Sequence, residues 1–390
     1  MYIGMDVHKD MCRVVCIDEK GKIIEKYGIE TSTKGLDEFS WKIPDNAKIA
    51  LEASTSGKFV YKHLKKEGLD ILMAHPRSLR LIAESKDKND DKDALILAQM
   101  LRMNSLKESY VPSEEIESVR QLIRHRVNLG RKSALVKNQI HAILAENGVK
   151  YGSGGLFGKQ GLIFLDKLEL SDSSKSILES YLRELGYYKD EIELSNTRLA
   201  KIAKGDEDVE LLMTIPGIDY YSALAIISEI GDISRFPNAN KLARYSGLTP
   251  GIRQTGKSIH YGRMTKEGPA ILRQILTLNA RSAINVKGGK LNRQYTRLSK
   301  RIGGRKAIVA MARKLLIIIY HMLMERKPYE DRNDDLTYRK IARMRQRLNA
   351  VVKPEAASRM DLLKAKGIEY ANELDLSDYL GTPPRSIGTG

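Results

Sequence analysis

The chain has 390 residues, 42% of them hydrophobic, which is enough for two or three globular units rather than one. Lys and Arg total 66 against 49 Asp and Glu, a formal net charge of +17 that points to a polyanionic partner without choosing among DNA, RNA and an anionic membrane. The membrane is disfavoured: the longest apolar run, around Leu315 to Leu323, contains His321 and falls short of the ~20 residues a spanning helix needs, and the N-terminus opens on a strand rather than a signal peptide. The only cysteines, Cys12 and Cys16, are too far apart along one short strand to bridge without distortion, so free core thiols in a reducing cytoplasm are expected.

In chain order, Tyr2-Ile3-Gly4-Met5-Asp6 reads as a strand, Cys12 to Ile17 as a second, and Ile23 to Ile29 as a third after a turn at Asp18-Glu19-Lys20-Gly21. A short helix is expected after Ser32, a buried strand at Lys48 to Glu52, a helix at Gly57 to Lys66, a strand at Leu69 to Ala74 and a helix at Asp90 to Leu101. Together these give an α/β unit over residues 1–110. From Pro112 the pattern becomes long helices. One runs to about Asn147, a glycine-rich connector follows, and a second carries Leu185, Tyr188, Ile192, Leu199 and Ile202 in a heptad-like seam. This helical hairpin, residues 111–205, either packs on itself or dimerises. Residues 206–329 read as helical with basic loops, and residues 330–390 as a charged helix at Asp335 to Leu348 with a frayed tail.

Four acids stand out by placement. Asp6 and Glu52 end buried strands, where a carboxylate is costly unless paired, hydrogen-bonded or metal-bound. Asp90 and Asp93 lie three apart at a helix start and so share one face. Converging acids repel, and a divalent cation resolves that repulsion; two oxygen-ligated Mg²⁺ or Mn²⁺ ions would then serve phosphoryl transfer. The alternative is simple helix capping by the acidic run, and spacing alone does not decide which two of Asp87, Asp90, Asp91 and Asp93 would be ligands.

The run Ile3-Gly4-Met5-Asp6-Val7-His8-Lys9 resembles the first motif of the DEDD-type insertion-sequence transposases of the insertion-sequence-110 group. So do Leu51-Glu52-Ala53-Ser54 with Gly57, and Lys88-Asn89-Asp90-Asp91-Lys92-Asp93-Ala94. The resemblance implies a RuvC-like, RNase H-type N-terminal domain whose four acids bind Mg²⁺. Matched motif by motif, these acids are Asp6, Glu52, Asp90 and Asp93.

Farther on, Leu212 to Ile218 followed by helical Ser222 to Ile230 looks like a helix-hairpin-helix, a turn that can hold phosphate on backbone N–H groups. Asp219 stands where a second glycine is common, so a purely structural turn is the alternative. The stretches Leu242 to Pro250, Gln254-Thr255-Gly256-Lys257 and Gly262 to Gly268 resemble the C-terminal domain of the same family. That domain supplies a serine hydroxyl that links covalently to DNA. Here the serine position holds Thr255, with Ser258 three residues on; the threonine methyl crowds an in-line attack. Arg253, Lys257, Arg263 and Lys266 are candidate phosphate contacts. Gly251 to Ser258 also fits the GxxxxGK[ST] phosphate-loop pattern, but that pattern works only between a buried strand and a helix. Ile259-His260-Tyr261 does not read as a helix.

The expected function is therefore Mg²⁺-dependent cleavage and joining of DNA at element ends and target. The resemblance adds guidance by a structured bridge RNA. With acids and hydroxyl on separate domains, a homo-oligomer, dimer or tetramer, is expected. The rivals are a plain metal-dependent nuclease, a nucleotide-hydrolysing accessory protein and an inactive DNA- or RNA-binding copy.

Overall fold

Period-two alternation in the first third of the chain folds into one five-stranded sheet. Strands β1 (Tyr2–Val7), β2 (Met11–Ile17) and β3 (Ile23–Glu30) run antiparallel, while β4 (Lys48–Glu52) and β5 (Asp70–Ala74) lie parallel to β1. The order is β3-β2-β1-β4-β5, compatible with an RNase H-like sheet. The computed structural model describes residues 1–75, 90–152, 154–255 and 258–349, which divide into two compact units, Met1–Ser113 and a second from Glu114 onward.

In the first unit, alternate residues bury opposite faces of the sheet. Ile3, Met5, Val14 and Leu51 face α1 (Thr33–Lys42) and α2 (Thr55–Lys66) through Leu36, Phe39, Val60 and Leu64. The other face is covered by α3 (Asp90–Arg102), whose Ala94 and Ala98 meet Val15 and Ile17 and whose Leu97 meets Ala50. Gly4 is the point of closest approach: a Cβ there would stand 1.8 Å from the Ala94 carbonyl oxygen and 2.7 Å from the Ala98 nitrogen. Without a side chain at Gly4, the helix backbone rests on the strand. Cys12 and Cys16 are buried and free, as their spacing predicted.

In the second unit, α4 (Glu114–Glu146) packs along α6 (Asp172–Ala203), and α5 (Lys159–Asp166) closes a small core with Ile140, Leu144 and Leu178. Leu185 and Leu199 of the expected seam are buried, but Ile202 is exposed and Ala200 and Ala203 are buried instead. The main core lies among α7 (Glu207–Met213), α8 (Tyr220–Ile230), α9 (Ala239–Tyr245), α10 (Ala270–Ala283), α11 (Lys290–Ile302) and α12 (Gly304–Glu325), and α13 (Asp334–Asn349) lies across α6 and α7. Arg120 of α4 ties into it by donating to the Ser228 and Glu229 carbonyls at the end of α8, at 2.6 and 3.1 Å. By length and composition α12 could cross a membrane, but more than half of its apolar stretch is buried here, with Met311, Leu315 and Ile319 in the core.

One feature corrects the all-helical expectation for this unit. β6 (Pro250–Thr255) and β7 (Ser258–Met264) form a two-stranded antiparallel sheet where loops were expected. The strand signal was present as Ile252/Gln254 and Ile259/Tyr261 alternation around a glycine-containing connection. The hairpin-like turn between α7 and α8 is also packed internally. Gly217 has φ +88, and a Cβ there would stand 2.7 Å from the Ala283 nitrogen. Asp219 caps α8 by accepting from the Ser222 N–H at 2.9 Å, so a carboxylate already occupies that helix N-terminus. The Lys340 ammonium of α13 donates to the carbonyls of Met213, Ile215 and Ile218. Lys340→Met keeps the stem but strands these carbonyls; a loss of about 1–3 kcal/mol is expected, read as a lower Tm.

Candidate metal centre and hydroxyl site

Two periodicities place acids of the first unit on the face of the sheet that α3 covers. On β1, Asp6 follows Gly4 by two and so lies on the face that α3 covers. On β4, Glu52 follows Ala50 by two; Ala50 packs on Leu97 of α3, so Glu52 shares that face one strand away, next to Leu51, which adjoins Met5. The close seat of α3 on Gly4 puts its first turn, with Asp90 and Asp93, at the same end. His8 Nε2 stands 3.2 Å from Asp6 Oδ2 and 3.5 Å from Asp90 Oδ2.

Packing distinguishes the described acids of the run from one another. Asp91 is engaged by Arg13 of β2, whose guanidinium reaches its Oδ1 at 2.9 and 3.0 Å. Asp90 and Asp93 instead act on Asp6. Burial pushes the Asp6 carboxyl above the ordinary carboxylate range, Asp90 and Asp93 push it further up, and His8 opposes them. Asp87 lies outside the described residues. His8 follows Asp6 by two, just past the end of β1, and that Asp-x-His spacing was the signal the sequence offered for the pair.

Crowded carboxylates, one of them half-buried, fit a divalent cation. Ligand atoms of Asp6, His8 and Asp90 lie within 4.8 Å of one another, and a cation there would offset both the burial cost and the mutual repulsion. A second compatible group, Asp37, His63 and Glu67, lies on the opposite side of the sheet on α1 and at the end of α2. There His63 Nε2 already bonds Asp37 Oδ1 at 2.8 Å.

The candidate hydroxyls sit at the tip of the β6–β7 hairpin. Thr255 and Ser258 are cross-strand partners and both are exposed. Ser258 Oγ lies 3.0 Å from His260 Nε2. Arg253 pairs with His260 in the ladder, Arg263 and Lys266 are exposed, and Lys257 lies outside the described residues. Ser246 is fully buried and donates to Ala243 O within its own helix end. The run Gly251–Ser258 begins in β6 and ends in β7, not in a helix, so the context a phosphate loop requires is missing.

Two transposase family models match this chain. One, described as a transposase of the DEDD IS110 class, covers residues 3–147; the other, described as Transposase IS116/IS110/IS902 family, covers residues 209–297. The chain belongs to the IS110 family of DEDD transposases. This transposase is 25% identical over 333 residues to the transposase for insertion sequence element IS1111A of Coxiella burnetii, covering 84% of this chain and 90% of the relative. It is 24% identical to a probable family 20 transposase of Pseudomonas aeruginosa, covering 84% and 98%. A shorter match, 34% identical over 127 residues, is to the pilin gene-inverting protein of Moraxella bovis, covering 31% and 38%. The transposase is thus a phosphoryl-transfer enzyme acting on DNA, with acid-rich clusters compatible with divalent metal.

Proposed function

We propose that this transposase moves an insertion sequence by Mg²⁺- or Mn²⁺-dependent cleavage and joining of DNA strands, with Asp6, Glu52, Asp90 and Asp93 as metal ligands. The observation that carries the proposal is the convergence of Asp90 and Asp93 on a half-buried Asp6 in a chain of this family. When bound, the divalent ions would activate the attacking oxygen and stabilise the leaving one. The chain's own groups do the positioning. Arg13 pins Asp91 and thereby the start of α3, and His8, between Asp6 and Asp90, orients both carboxylates. Arg253, Lys257, Arg263 and Lys266 hold the DNA backbone through phosphate contacts that carry no sequence information.

The hydroxyl comes from Thr255, which stands at the family's serine position, or from Ser258. The Ser258–His260 hydrogen bond favours the second, because the imidazole can take the hydroxyl proton as oxygen attacks phosphorus. Bridge-RNA guidance enters through the family resemblance, and the positive charge supports it. Assembly as a homo-oligomer in the cytoplasm completes the proposal; exposed Leu162, Ile163 and Ile177 on the helical hairpin support self-association.

The test is cleavage of the element's own ends with Mg²⁺ and co-expressed flanking RNA, resolved on denaturing gels. A protein–DNA adduct lost in Asp6→Ala and in one of Thr255→Ala or Ser258→Ala is the expected result. Cleavage that needs Asp6 but neither hydroxyl would replace the covalent step with metal-activated water. Tight binding without any cleavage would leave a binding protein only.

A further inference from the structure

Between Glu267 and Glu325 the chain carries twelve Lys and Arg and no Asp or Glu, against a net charge of +17 for the whole. This stretch folds into α10, α11 and α12. Several of its cations have internal partners. Arg273 donates to the Ser246, Glu267 and Gly268 carbonyls, Arg313 bonds Asn240, and Lys290 pairs with Glu330. Arg297, Arg301 and Lys314 differ. All three are exposed, none has a carboxylate partner among the described residues, and together they line one open cleft of about 610 Å³ between α11 and α12.

Like charges gathered around a concavity repel one another and favour a polyanion there. Arg297 and Arg301 are one turn apart, about 6 Å along the helix axis, so their guanidinium forks can grip neighbouring phosphates, each through paired N–H donors. The remaining lining residues are Gln294, Leu298, Ala310 and Met311, with no aromatic ring on which an unstacked base could lie. Single-strand sites rely on such rings, so a duplex is the fitting shape. The second family match ends at residue 297, and Arg301 and Lys314 lie beyond it.

We propose that the α11–α12 cleft grips the phosphate backbone of double-stranded DNA without reading its sequence. This rests on the DNA-acting function above but goes beyond the hairpin contacts assigned there. Full-length protein is titrated with a labelled DNA duplex of arbitrary sequence, by fluorescence anisotropy, over a range of KCl concentrations. Against wild type, the triple variant Arg297→Gln, Arg301→Gln, Lys314→Gln is expected to flatten the plot of log affinity against log salt by about 2.7, at about 0.9 per lost phosphate contact, with affinity falling on the order of tenfold or more at low salt. A control triple at the exposed Lys189, Lys201 and Lys204 leaves the slope unchanged. Should the first triple not fold, Arg301→Gln alone decides, with an expected flattening of about 0.9. An unchanged slope overturns the proposal, and so does a change seen with duplex RNA but not with duplex DNA. The two readings fail separately: loss of the proposed chemistry would show as a wild type that never cleaves yet keeps the slope difference. Loss of the cleft assignment would show as intact cleavage with no slope difference.

Discussion

Gly4→Ala is expected to cripple strand cleavage although Gly4 carries no chemistry. The added methyl would meet Ala94 O at 1.8 Å, Ala98 N at 2.7 Å and Ala94 C at 2.9 Å, all of them helix backbone, so α3 must move as a body. Overpacking of this kind costs about 1–3 kcal/mol. The functional cost is larger, because Asp90 and Asp93 ride on the displaced helix, and a misplacement of about 1 Å in a reacting assembly can cost on the order of 10²-fold in rate. Cleavage rates and thermal melts of the same variant separate the two effects. Ala94→Gly should not rescue it, since the clash is with the carbonyl and not the side chain; rescue, or full activity in Gly4→Ala, would remove the seat of α3 from the account.

Asp6→Asn is expected to move stability and activity in opposite directions. Without divalent cation, Asp6 is a half-buried carboxylate under the repulsion of Asp90 and Asp93, so neutralising it removes an unfavourable charge and should raise Tm in chelator. The same change deletes a proposed ligand. Cleavage should fall by more than the roughly 10–100-fold that follows loss of an outer hydrogen-bonding partner at a metal site. The gain in Tm that wild type shows on adding Mg²⁺ should shrink or vanish, because a ligand bound only by the folded state stabilises by mass action. A Tm that falls in chelator, or a Mg²⁺ response equal to wild type, would place the metal elsewhere, with Asp37, His63 and Glu67 as the next group to test.

Much of the first unit was legible because its patterns are local. Ile3 and Met5, Val14 and Cys16, and Ile49 and Leu51 alternate with period two, and their strands formed where that alternation runs. Asp6 and Glu52 were visible as acids closing apolar strands. The choice within the acidic run was not, because it depends on Arg13, a residue on β2 seventy-eight positions from Asp91. The role of His8 was hidden for the same reason: its second neighbour, Asp90, arrives through the seating of α3 on Gly4. In the second unit, the β6–β7 ladder was missed because the alternation in two short strands is a weak signal.

By itself the sequence determined the alternating elements of the first unit, the long helices after Pro112, the surplus of positive charge and the family to which its motifs belong. Each of these is encoded in neighbouring residues, by period, by composition or by short motifs. Only the tertiary structure decided which aspartates act on Asp6, that Gly217 packs against Ala283, and that the Lys340 ammonium takes up the carbonyls of its turn. It also decided that three of the twelve cations between Glu267 and Glu325, Arg297, Arg301 and Lys314, meet around one cleft. These outcomes depend on side chains meeting in space, and backbone approach of the kind Gly4 permits is set by packing that no local pattern records.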